Sequence, residues 1–68
     1  MTLAEFNMLS FNDKYKAMDR GVFLYNYLTN EEAYECYSFD KFFIEVVYNE
    51  ENSIIEFRSF ETEKTKSI

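Results

Sequence analysis

From residue 22 to residue 60 the chain reads as four short runs of β-branched and aromatic side chains, joined by linkers too short to cross a sheet. The runs are VFLYNYL (22–28), AYECYSF (33–39), FFIEVVY (42–48) and SIIEFRSF (53–60). Their residue types favour extended backbone. The linkers TNEE, DK and NEEN are polar and short, as hairpin turns require. A parallel neighbour needs a crossover of about a dozen residues or more. Each strand must therefore run antiparallel to the one before it, and the expected sheet is a four-stranded meander.

The first 20 residues follow a different period. TLAEFNML begins with Thr2 and has Glu5 three positions on, the signature of a capping box, with Leu3, Phe6 and Leu9 at helical spacing. SFNDKYKAMDRG repeats the device: Ser10 is the expected N-cap, Asp13 lies in the first turn, and Tyr15 and Met18 recur at helical spacing. Arg20 and Gly21, the single glycine, make a stop. The expected class is α+β, with one or two short N-terminal helices packed on the antiparallel meander. One domain would span residues 1–60, helical over 2–20 and sheet over 22–60, with 61–68 as a frayed charged tail.

Size makes burial scarce. A chain of 68 residues buries roughly 60% of its unfolded surface, so its core must be unusually dense. Eight Phe and six Tyr supply that density and set the chain apart from disordered sequences. Thirteen acidic residues against seven basic give a net charge of −6. Nucleic-acid affinity rests on Lys and Arg contacts to phosphates, so direct nucleic-acid binding is not expected. A basic protein partner is favoured by the same charge. No apolar run reaches membrane-span length, and the start lacks a signal-peptide order, which points to a cytoplasmic protein with no membrane partner.

Alternation divides the strands into two faces. With Glu45 outward, Phe42, Ile44, Val46 and Tyr48 point to the helices. Glu56 and Arg58 outward place Ile55 and Phe57 inward. Glu35 outward places Tyr34 and Cys36 inward, and Val22, Leu24 and Leu28 form the inward set of the first strand. The outward set is then Phe23, Tyr25, Tyr27, Tyr37, Phe39, Phe43, Val47, Ile54 and Phe60, interspersed with Glu35, Glu45, Glu56 and Arg58. An exposed sheet face is normally polar, and a contiguous aromatic one marks an interaction surface. The candidate protein-interface residues are Tyr25, Tyr27, Glu35, Tyr37, Phe39, Phe43, Glu45, Glu56 and Arg58.

Catalytic chemistry finds little support. There is no His to activate Ser or Cys. The single Cys36 excludes an internal disulfide and any Cys-rich zinc site, and its strand position reads as a small core hydrophobe. One glycine cannot build a phosphate-cradling loop. The adjacent pairs Glu31–Glu32 and Glu50–Glu51 fall in turns, where solvated acids are ordinary, and NEEN lacks the glycine of a calcium loop. No catalytic residue, metal or cofactor is expected.

GVFLYNYL followed by CYSFDKFFIEVVYNEENSIIEFRSF resembles a group of very short uncharacterised bacterial proteins. Their common pattern is an aromatic-rich strand, then Phe-aromatic-Val/Ile-Glu-Val-x-Tyr, Asn-x-Ile and Arg-Ser-Phe. The matching positions are Phe42, Phe43, Ile44, Glu45, Val46, Tyr48, Asn52, Ile54, Arg58, Ser59 and Phe60, within residues 21–60. That group often ends its first strand with a basic residue, where this chain has Tyr27. The resemblance implies the fold and carries no activity. In size, acidity and sticky surface the chain is also similar in profile to anti-CRISPR proteins, small non-enzymatic binders of large basic nucleases.

Two functional readings follow. One is an inhibitor or modulator of a larger basic nucleic-acid-handling protein, such as a CRISPR-type nuclease, contacted through the outward aromatic face. The other is a housekeeping homodimer that stacks those faces together.

Overall fold

The computed structural model describes residues 1–61. Helix α1 spans Leu3–Asn7 and α2 spans Phe11–Ala17, followed by one 3-10 turn at Met18–Arg20. Strands β1 (Val22–Leu28), β2 (Ala33–Ser38), β3 (Phe43–Tyr48) and β4 (Ile54–Phe60) form one sheet in the order β1-β2-β3-β4, every pair antiparallel. The α+β meander expected from linker length is the fold observed. Residue 61 is an exposed bend, and the remainder of the expected tail lies outside the described residues.

Local chemistry accounts for each boundary. Thr2 caps α1 through its hydroxyl to the Glu5 N–H, while Glu5 Oε1 accepts from the Thr2 N–H at 2.8 Å. This reciprocal capping box offsets the unfavourable nucleation of a five-residue helix. Ser10 caps α2 through the Asp13 N–H. Gly21 ends the helical segment in extended backbone (φ −87°, ψ 164°) that any residue can adopt. Its glycine identity has another cause. A Cβ there would lie 2.8 Å from Phe39 Cε1 and 2.9 Å from Cζ, so the chain leaves the helices through a space too small for a side chain.

The β3–β4 turn uses Asn49 and Asn52. Asn49 Oδ1 accepts from the N–H groups of Glu51 and Ser53, and Asn52 takes the left-handed conformation at φ 66°. Asn tolerates that region better than most residues. The β1–β2 turn closes with the Thr29 N–H donating to the Glu32 carbonyl at 2.8 Å, while Thr29 Oγ1 accepts from the Glu32 N–H.

The helices cover one face of the sheet. Phe6, Ala17, Phe42, Ile44 and Val46 form the core, with Leu3, Leu9, Met18, Tyr37, Phe39, Tyr48, Ile54 and Phe57 packed around it. Phe6 meets Phe39, Phe42 and Phe57 at ring-centroid distances of 6.1, 6.2 and 6.1 Å, and Phe39 stacks on Phe42 at 5.0 Å. The molecule measures 33 × 32 × 16 Å, and the thin axis is that of two layers.

The register corrects the expected faces. Paired residues share a face, and Glu35 pairs with Val46 while Cys36 pairs with Glu45. Glu35 therefore lies on the helix side together with Tyr37 and Phe39, and Tyr34 and Cys36 lie on the open side. Glu35 is half-buried on the helix side, where its carboxylate accepts from the Tyr37 and Tyr48 hydroxyls. Irregular pairing between Val47 and Tyr48 sets Tyr48 opposite Ile54 and Val47 opposite Glu56, so Ile55 bulges out and is 49% exposed. Ile54, not Ile55, joins the core. A second bulge at Leu24, between Phe23 and Tyr25, interrupts β1. Val22, Leu24 and Leu28, expected inward, are exposed.

Candidate functional site: an open sheet face closed by its own side chains, and an exposed edge

On the open face all four strands contribute to a single cluster. The Tyr27 hydroxyl of β1 donates to Glu45 Oε2 of β3 at 2.8 Å. Arg58 Nη1 of β4 stands 3.6 Å from Glu45 Oε1, and Arg58 Nη2 lies 3.2 Å from Glu56 Oε1. Tyr34 of β2 stacks on Tyr27 with centroids 4.5 Å apart, and the Arg58 guanidinium sits 5.7 Å from the Tyr34 ring centre. Glu45 is 1% exposed in consequence, and Val47 and Cys36 beside it are buried. Among the described residues every buried side-chain nitrogen or oxygen has a partner.

Electrostatics follow from this packing. Burial, then the Glu45 carboxylate, pushes the Tyr27 hydroxyl up to about 12. Tyr34 is raised chiefly by its hydrogen bond to Glu32. Arg58 is held more firmly protonated by Glu56. On the helix side, the hydroxyls of Tyr37 and Tyr48 both donate to Glu35 Oε1, at 3.1 and 3.0 Å. Burial and that carboxylate raise Tyr37 and take Tyr48 to about 12.

The nine interface candidates therefore fall into three places. Tyr25, Tyr27, Phe43, Glu56 and Arg58 lie on the open face as expected. Glu45 lies there too, sealed beneath its neighbours. Glu35, Tyr37 and Phe39 lie on the helix side.

Sequence reasoning missed the most exposed apolar element. β1 is an edge strand, and Val22, Phe23, Leu24, Tyr27 and Leu28 are all exposed; Val22 is 64% and Leu28 78% exposed. No residue of VFLYNYL carries charge. That neutrality was legible, as was an edge position for the first strand of a meander, whereas the exposure of Val22, Leu24 and Leu28 was not. At the end of this strand the two Asn-Glu-Glu turns meet, and Glu31, Glu32, Asn49, Glu50 and Glu51 line one shallow concavity.

Comparison with protein-family models, with curated proteins and with solved structures found no match to this chain. What the fold and surface define is a two-layer α+β domain with an acidic rim and an uncharged apolar edge. Among the described residues no helix is long and apolar enough to cross a membrane, and no group of three or more acidic or Cys side chains is placed to hold a metal ion.

Proposed function

We propose that this chain is a non-enzymatic protein-binding module that inhibits or modulates a larger, basic, nucleic-acid-handling protein. The observation that carries the reading is β1, a seven-residue uncharged edge strand with five exposed large apolar side chains. Natural sheets blunt such edges with charge, proline or a covering element, because an open edge templates pairing with another chain. An extended target segment adding to β1 would gain main-chain hydrogen bonds and apolar contacts together. The acidic turns beside Leu28 would steer a basic target and set its orientation. The profile shared with anti-CRISPR proteins makes a CRISPR-type nuclease the first target to assay.

A homodimer stacked through the open sheet face finds less support. Tyr34, Cys36, Glu45 and Val47 at its centre are already buried within one chain. The test is parallel capture from host lysate by immobilised wild type and Leu28→Lys, with retained proteins identified by mass and then assayed for activity. A basic nuclease held by wild type, lost by Leu28→Lys and inhibited in the assay supports the proposal. Equal capture by both baits, or an enzyme whose activity is unchanged, contradicts it.

A further inference from the structure

We infer that the β1 edge also pairs with itself, joining two copies into one continuous eight-stranded sheet about a two-fold axis at Asn26. The inference rests on the reading of β1 as a contact edge and names a second copy as its occupant in the free protein.

Backbone direction is the first argument. Thr29 and Glu32 form the hydrogen-bonded pair that closes the β1–β2 hairpin. In an antiparallel ladder bonded and non-bonded pairs alternate, so Tyr27 and Tyr25 bond to β2. Asn26 and Leu28 consequently turn their N–H and C=O groups to the open edge. The bulge at Leu24 leaves Tyr25–Leu28 as the regular part of the strand, which centres any added strand near Asn26.

Charge is the second argument, and it favours an antiparallel copy over a parallel one. Each copy carries −6, so the approach of two copies is least opposed along a strand that itself carries no acid. β2, β3 and β4 carry Glu35, Glu45 and Glu56, while β1 carries none. The segments flanking the strand differ in charge: Lys14, Lys16 and Arg20 outnumber Asp19 before it, and Glu31 and Glu32 follow it. Antiparallel pairing centred on Asn26 sets Tyr25 of one copy beside Tyr27 of the other. The same direction sets the end of β1 that follows Arg20 beside the acidic turn of its mate. Parallel pairing would instead set the two acidic turns together. Because an edge accepts one strand, self-pairing and target binding exclude each other.

Sedimentation equilibrium over a concentration series tests this. The expected mass rises from 8.3 kDa towards twice that value. Asn26→Pro places a proline where the N–H faces outward, so the β2 ladder stays intact while the edge is blocked. That variant should hold wild-type circular dichroism and remain monomeric. Arg20→Glu should weaken the dimer about tenfold through two symmetric contacts, and adding Glu31→Arg should restore it. A monomer at every concentration, or a dimer indifferent to both Asn26→Pro and Arg20→Glu, overturns self-pairing. Target capture separates the two proposals: Arg20→Glu should release the dimer yet retain the target, and Leu28→Lys should lose both.

Discussion

Tyr27 and Glu45 stand on strands that are not neighbours, yet the Tyr27 hydroxyl reaches over β2 to donate a 2.8 Å hydrogen bond to Glu45 Oε2. With Arg58 approaching the other carboxylate oxygen from β4, the bond ties β1, β3 and β4 together across the open face. The buried acid is thus an organising element of the open face.

Removal of that donor should be costly. Tyr27→Phe keeps the stack on Tyr34 but takes a partner from a carboxylate that is 1% exposed. A buried acceptor losing its donor costs about 1–3 kcal/mol. Urea denaturation should show a lower midpoint at unchanged slope. Arg58→Met should cost less than Tyr27→Phe, since Arg58 is 36% exposed and its contact to Glu45 is long and screened.

Alkaline pH provides a second check. Tyr27 and Tyr48 each titrate at about 12 in the fold against an ordinary value of 10.0. The native state therefore holds their protons after the unfolded chain has lost them. Their contribution to stability is complete below pH 10 and disappears as pH rises towards 12. Thermal melts across that window should fall in midpoint, and the double variant Tyr27→Phe, Tyr48→Phe should flatten the decline. Tyrosinate absorbance should show these two groups ionising above the ordinary value of 10.0.

Gly21 tests whether space or backbone freedom selects the residue. Its extended φ and ψ suit alanine, but an alanine Cβ would lie 2.8 Å from a Phe39 ring that is stacked on Phe42. Overpacking of this kind costs about 1–3 kcal/mol. Gly21→Ala should destabilise by that amount, and Phe39→Leu should recover part of it in the Gly21→Ala background.

Asn52 is the opposite case. At φ 66° glycine is at ease, whereas a β-branched side chain incurs about 1–2 kcal/mol. Asn52→Gly should be neutral to slightly stabilising, and Asn52→Val should lower the midpoint of unfolding. Near-wild-type stability for Asn52→Val would show that the turn has another conformation available.

Strand positions were legible because linker length and residue type report them directly. β1 falls at 22–28 as read, and the other three differ by one residue at one end. Faces were legible only where alternation was uninterrupted, as in β3, where Ile44, Val46 and Tyr48 turn to the helices. Elsewhere two physical effects hid them. Both parities of β2 are apolar, so Glu35 alone set the assignment, and nothing local reveals that Tyr37 and Tyr48 hydroxyls satisfy it inside. Bulges at Leu24 and Ile55 shift the parity within β1 and at the start of β4, and a periodicity reading averages over them. The candidate surface moved accordingly, from the middle of the sheet to its uncharged edge.

Residue-resolved amide hydrogen exchange along β1 tests the central claim most directly. Tyr25 and Tyr27, bonded to β2, should exchange slowly at every concentration. Asn26 and Leu28 should exchange freely in dilute protein and become protected at high concentration or on addition of the captured target. Free exchange of Asn26 and Leu28 under all of these conditions would show that no strand, of this chain or another, adds to the edge.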